Sequence, residues 1–415
     1  MRRFFSIGSM VVVLVALLAA PSGGILAAAR PGGDVIQVDP GPPGPGEARH
    51  PLVVKVQSRD QKGNPAVTNP APSGYTPSQI QSYLGLSGNG AGMTIAIVDA
   101  YDHPNIANDL NVFSKQFNLP LICGTSGADS SNCVKFTKAT PQGKTRTNAG
   151  WALEIALDVE WAHAVAPNAN ILLVEARSAS YSNLLSAIDY AAKQSGVVVI
   201  SNSWGSNEFS GENSFDYHCA LSTAVCTFSS GDSGNPGGYP AYSPYVVAVG
   251  GTTLYLTSSG AVQSETAWTG SGGGVSQVEP KPSYQNNVNP YPRRGMPDVS
   301  YNADPNTGFP VYDSVPYAGQ TGWFQVGGTS AGAPQWAAII AVADQLRAGA
   351  GKAPLSSATM QTNKDLYGLS SGLYDVAIGS NGNCGTVCTA GPGYDFVTGL
   401  GSPRVGIDIA LAAAP

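Results

Sequence analysis

An α/β fold, with a mostly parallel twisted sheet covered by helices on both faces of a single domain, is the class this sequence predicts. Two observations carry it. Short apolar strand-like runs alternate with longer segments of helical spacing, and the loops that follow the runs are rich in Gly, Ser, Asp and Asn. The composition sets the scale: 415 residues with 42% hydrophobic content are enough for one large, well-filled core.

The elements follow in order. "MTIAIVDA" (Met93 to Ala100) reads as a buried strand, and "GWALEIALDVEWAHAVAP" (Gly150 to Pro167) as a helix stopped by its proline. "ANILLVEA" (Ala169 to Ala176) is again a strand, and "SYSNLLSAIDYAAKQSG" a helix. "VVVISNSWG", "AVCTFSSGDSG" and "YVVAVGG" complete the series as strands with their loops. "AGAPQWAAIIAVADQL" is a further helix, and no internal repeat is found. In such sheets ligands bind beyond the carboxyl ends of the strands, where "DAYDHP", "NSWG" and "GDSG" fall.

The first 29 residues read as a cleaved export signal: Arg2 and Arg3 precede an apolar run from Met10 to Ala20, and Ala27 and Ala29 offer a small-residue cleavage site. The alternative, a membrane anchor, is disfavoured because the run is short for a hydrocarbon layer about 30 Å thick. Residues 30–74 are rich in Pro and Gly and read as an extended leader or linker, with ordered structure expected from Tyr75 to the end. A secreted, extracellular protein is expected, and a monomer. Charged residues make up 12% and the net charge is −6, so no clustered basic face marks a nucleic-acid partner, and no later segment is apolar and long enough to span a membrane. Six cysteines form three local couples, Cys123 with Cys133, Cys219 with Cys226 and Cys384 with Cys388, which an exported chain would oxidise. No couple has the spacing of a zinc site.

Three segments carry chemistry. Ser330 in "GGTSAGAP" stands where a glycine turn meets a helix start, whose N–H groups favour negative charge; an N-cap serine is the plainer reading. The four histidines, His50, His103, His163 and His218, lack a glycine-bounded setting suited to a base and read as ordinary surface or core residues. Glu154 and Asp158, four apart on an apolar helix, share a face about 40° apart, and such a pair separates its two titrations; His163 points away from them. Asp232 in "SSGDSG" is a turn former, or, protonated, a donor to an oxyanion.

The ordered set E-x-x-x-D, S-G-D-S-G and G-T-S-A-x-x-P resembles the sedolisins, the serine-carboxyl peptidases of subtilisin-like fold, from about Tyr75 to Pro403. The resemblance implies that Ser330 is the nucleophile, Glu154 the general base and acid, Asp158 its tuning partner and Asp232 the oxyanion donor. Asp99 and Trp204 look like the family's network behind the carboxylates. "SGGGVS" is similar to its glycine-rich substrate-binding segment and "SNSWG" to the neighbouring wall, which together imply peptide contacts at Ser203, Trp204, Gly205, Ser271, Gly272, Gly273 and Gly274. "YDVAIGSNG" and "AGPGYDFVTGLGSP" look like the family's site for one structural Ca²⁺, with Asp375, Val376, Gly391, Gly393 and Asp395 as ligands. A protein or peptide substrate and cleavage at acid pH follow as expectations. The stretch 30–74 is shorter than the family's long folded prodomain, and trimming without a chaperone role is expected of it. Two other readings stand beside this one: a neutral subtilase that recruits His103 near Asp99, and an exported binding protein on a retired protease fold.

Overall fold

The computed structural model describes residues 35–37, 46–50, 52–55, 68–69 and 71–415. The expected signal, residues 1–29, lies outside the described residues, as does much of the stretch 30–74.

The central sheet runs in the order Val262–Ala267, Val246–Leu256, Val225–Ser229, Val197–Asn202, Thr94–Ala100, Asn170–Ala176, Phe136–Ala139, and Val299–Asn302 also pairs with Val246–Leu256. Every pairing is parallel except that of Val262–Ala267. Alternate side chains of one strand go to opposite faces: Ile95 and Ile97 join the core under the Ala149–Val165 and Gly332–Gly349 helices, whereas Ala96 and Val98 pack with Leu184 and Ile188 of the Tyr181–Ala191 helix. Two cores flank one sheet, as the alternation of runs predicts.

The Ala149–Val165 helix is enclosed on all sides. From Trp151 to Val165 every residue is buried, because the antiparallel Phe309–Tyr317 and Gln320–Gly327 hairpin and the Gly332–Gly349 helix cover its remaining sides. A helix apolar on all faces is a core helix. The carboxylates on it therefore have no solvated side to turn to.

The expectation that order begins near Tyr75 is corrected at residues 46–50 and 52–55. Val53–Lys55 adds a strand to the outer sheet, antiparallel to Gln320–Gly327, with Val53 opposite Gly327. Ala48, His50, Leu52, Val53 and Val54 are buried. Their order comes from backbone pairing with a distant edge, which Pro and Gly content does not report.

Of the expected disulfides, all three are formed. No helix among the described residues is long and apolar enough to cross a membrane.

Candidate active site

Strand ends and one core helix bring the candidate residues together. Asp99 closes Thr94–Ala100, Ser203 to Gly205 follow Val197–Asn202, Asp232 follows Val225–Ser229, and Gln320–Gly327 leads into a one-turn 3-10 segment, Thr329–Ala331, that holds Ser330 just before the Gly332–Gly349 helix. Gly328 makes that entry at φ 101°, a backbone conformation that other residues rarely adopt.

Glu154, Asp158, Asp99 and Ser330 are all fully buried. Burial raises the proton affinity of Glu154 well above the usual carboxyl range, and the neighbouring Ser330 and Ser203 hydroxyls work against it. Asp158 is raised first by burial and then by the charges of Asp99 and Glu154; Asp99 by burial, Glu154 and Glu175. Like charges this close cannot all ionise together, so the cluster keeps protons at a pH where isolated carboxyls have lost them.

Ser203 does more than form a wall. Its hydroxyl donates to Asp158 Oδ1 at 2.9 Å and lies 3.3 Å from the Ser330 carbonyl oxygen, which ties the strand end to both the carboxylate pair and the serine turn. The indole N–H of Trp204 donates to the carbonyl of Val98, beside Asp99 in the chain, and its ring packs into the opposite core with Tyr181 and Phe228. It supports the strand carrying Asp99 from behind.

Asp232 accepts from the Thr329 N–H at 2.7 Å and the Thr329 hydroxyl at 2.8 Å, both on Oδ1. Its Oδ2 has no hydrogen-bond partner. Burial pushes this carboxyl up to about 8. A carboxyl protonated on Oδ2 is a donor held one residue from the serine.

The glycine run packs against that loop. Gly272 N–H donates to the Gly231 carbonyl at 2.7 Å, and a Cβ at Gly272 would lie 2.1 Å from the Ser230 carbonyl oxygen. Ser271 Oγ bridges the Gly251 N–H and the Val397 carbonyl. At Gly273 a Cβ would lie 2.2 Å from the Phe396 carbonyl oxygen, and Gly274 opens the Gly274–Pro280 strand. Close backbone approach within the protein accounts for these glycines.

His50 was missed by sequence reasoning. Arg49 exchanges both backbone hydrogen bonds with Gly205, at 2.9 and 3.0 Å, and Ala48 N–H donates to the Ala179 carbonyl at 2.8 Å. This short strand carries the His50 ring inward until Nδ1 lies 3.4 Å from Glu154 Oε2, with Trp151 edge-on at 5.1 Å. Burial, then the charge of Arg49, lowers its pKa to about 4. Reading His50 as an ordinary leader histidine is thereby corrected. No local signal in "GEARHP" reports this placement.

His103 lies elsewhere. Its Nε2 is 3.2 Å from Asp313 Oδ1 and 3.5 Å from Asp109 Oδ2, and its Nδ1 accepts the Asn105 N–H at 3.2 Å. That last bond leaves the proton on Nε2, facing the carboxylates, which suits a hydrogen-bonded spacer better than a metal ligand. Its partners are Asp109 and Asp313, against the reading that pairs it with Asp99. His163 Nε2 contacts the Pro120 carbonyl and His218 pairs with Asp189.

In the C-terminal loop Asp375 lies beside Gly393, and Asp395 beside Gly391 and, through Thr398, near Val376. Gly393 N–H donates to Asp375 Oδ2, Gly391 N–H to Asp395 Oδ2, and the Thr398 hydroxyl to the Val376 carbonyl and to Asp395 Oδ2. The donor set, two carboxylates with neighbouring backbone carbonyls, is of the hard oxygen type that suits Ca²⁺.

Residues 127–382 match the subtilase family. The chain belongs to that family. Within it the relatives are sedolisins. The chain is 33% identical to kumamolisin of Bacillus sp. (strain MN-32) over 83% of its own length and 64% of that protein's. To sedolisin of Pseudomonas sp. (strain 101) it is 37% identical over 42% of its length and 30% of that protein's. It thus spans less than two thirds of these curated relatives. The solved structure of Pseudomonas sedolisin, described as a serine-carboxyl proteinase in complex with pseudo-iodotyrostatin, superposes with a TM-score of 0.67 and 27% identity, covering 82% of this chain and 97% of that one. The expected subtilisin-like architecture is the one found.

Proposed function

We propose that this protein is an exported endopeptidase that cuts protein or peptide chains at acid pH through an acyl-enzyme on Ser330. The observation that carries this reading is that the Ser203 hydroxyl joins Asp158 Oδ1 to the Ser330 carbonyl, which sets the serine turn against a fully buried group of carboxyls that includes Glu154. Glu154 takes the serine proton as the oxygen attacks the peptide carbonyl, and protonated Asp232 and backbone N–H groups hold the oxyanion. Glu154 then gives its proton to the leaving amine, and water activated by Glu154 releases the acyl group. Asp158, held by Ser203, tunes Glu154. Asp232 donates only while protonated, so this donor is lost as pH rises past about 8.

The Arg49 and Gly205 pairing supports a substrate bound as an added strand, since it places a segment of this chain along that edge. A Ca²⁺ on Asp375, Asp395 and the neighbouring carbonyls would stiffen the C-terminal loop. The protein acts as a monomer outside the cell, with neither nucleic acid nor membrane as partner.

The test is digestion of an unfolded protein across pH by the native chain and by Ser330→Ala. Native activity falling above mildly acidic pH, with loss of activity in the variant, is expected. A Ser330→Ala chain that digests at full rate sinks the assignment. Against the retired binding protein, a peptide aldehyde is expected to form a hemiacetal on Ser330, which a dead scaffold would not do.

A further inference from the structure

Two segments expected to line the peptide cleft run on beyond it and are joined there by one side chain. The "SNSWG" wall continues into residues 206–210, and the glycine run continues into the Gly274–Pro280 strand. Glu208 stands between them. Its Oε1 accepts the Ser276 hydroxyl, and its Oε2 accepts the Gln277 N–H at 2.9 Å. Among the described residues no other hydrogen bond links 206–210 to 274–280. Ser276 is fixed in its turn: its Oγ accepts the Val278 and Glu279 N–H groups at 3.0 and 2.7 Å, which leaves its hydroxyl proton for Glu208. Beside the join opens a cavity of about 530 Å³, lined by Phe209, Pro236, Gly237, Val278 and Arg293 as well as Glu208. Its Gly237 side lies against the strand end before Asp232 and against the glycine run, because a Cβ there would meet the Ser230 carbonyl oxygen at 3.0 Å and the Gly273 nitrogen at 3.1 Å.

We propose that Glu208 is a positioning residue for peptide binding, whose carboxylate ties the wall to the glycine strand and so fixes the width of the cleft between them. The proposal rests on the reading of both segments as peptide contacts. A glycine run has little stiffness of its own, because each glycine has more backbone freedom than any other residue. A strand that is to pair with a substrate backbone gains affinity when it is held in place beforehand. Hydrogen bonds to an ionised carboxylate are the strong kind suited to such a hold. The chain itself already uses both oxygens, so Glu208 differs from a free carboxylate, which would select Lys or Arg side chains. Burial pushes its acidic neighbours Glu212 and Glu279 up to about 9 and about 8, so below neutral pH neither adds a charge that would drive Glu208 away.

Kinetics on a soluble peptide that the native chain cleaves test this, together with inhibition by two tripeptide aldehydes. One ends in leucinal and the other in lysinal, so each places a known side chain next to Ser330. Glu208→Gln, which can accept only one of the two bonds, is expected to raise KM about tenfold and to keep kcat within about twofold. It should weaken the leucinal and lysinal inhibitors by the same factor. Ser276→Ala should act in the same direction, and the double variant should be no worse than Glu208→Gln alone, as for two residues of one contact. Selective loss of the lysinal inhibitor overturns the proposal, since it makes the carboxylate a reader of basic side chains. So do an unchanged KM in Glu208→Gln, a fall in kcat that outweighs the rise in KM, and losses that multiply in the double variant. Ser276→Ala leaves every charge in place and carries the test if Glu208→Gln folds poorly. A native chain that cleaves no peptide and binds neither aldehyde counts against the proposed function instead.

Discussion

Thr329 grips Asp232 by one oxygen only: its N–H and its hydroxyl both reach Oδ1, at 2.7 and 2.8 Å. The other oxygen is buried with no hydrogen-bond partner. Asp232→Ala should lower kcat by about 10²–10³-fold, the range seen when one oxyanion donor is removed. Asp232→Asn, whose amide donates at every pH, should retain more activity than the alanine variant and keep its donor above about pH 8, where Asp232 loses its proton. Rate against pH for the two variants is the measurement, and equal losses at all pH would remove Asp232 from the oxyanion role.

Glu154→Gln separates chemistry from stability. Without a base at this position the rate should fall by about 10²–10⁴-fold. The buried amide needs no proton, so the variant should melt at a higher temperature than the native chain at neutral pH. A variant that keeps its rate, or that melts lower at neutral pH, speaks against a buried, proton-holding general base.

Stability should depend on pH in the acid-favouring sense. Burial raises Asp232 and Glu279 to about 8 and Glu175 and Asp344 to about 7. Each holds its proton more tightly folded than unfolded, where carboxyls titrate near about 4. The folded chain therefore carries more protons at intermediate pH, and its stability is full below about 4 and declines as pH rises to about 8. Melting temperatures between those limits should fall steadily, and a flat or rising trend contradicts the buried carboxyl cluster.

Calcium should matter to the fold more than to the chemistry. Chelation is expected to lower the melting temperature by a few degrees, as loss of a ligand bound only by the native state does. Asp375→Asn should abolish that response while leaving the other carboxyl, Asp395, in place with its backbone hydrogen bonds. Identical melts with and without chelator would count against the ion.

Much of this architecture is legible in the chain. The runs around Thr94–Ala100, Asn170–Ala176 and Val197–Asn202 are apolar throughout because both faces are covered, so their length and flanking loops suffice to identify them. Glu154, Asp158, Asp232 and Ser330 announce themselves because a charge or a serine amid small apolar neighbours is costly to bury without purpose. Contacts made through backbone leave no such mark. Arg49 pairs with Gly205 through main-chain groups that any residue supplies, and so the burial of His50 is invisible until the distant edge is in place. Ser203 is similar: its bond to Asp158 joins positions 45 apart, and nothing in "SNSWG" names the partner.

The Ala149–Val165 helix, enclosed on every side, has a consequence for motion. Segments with few covered contacts open locally, whereas an element at the centre of the core exposes its amides only when the whole domain unfolds. Leu153 to Val159 should be among the slowest amides to exchange with solvent. Glu154 and Asp158 thus ride on the most enclosed element of the molecule, and local opening falls on the loops around them.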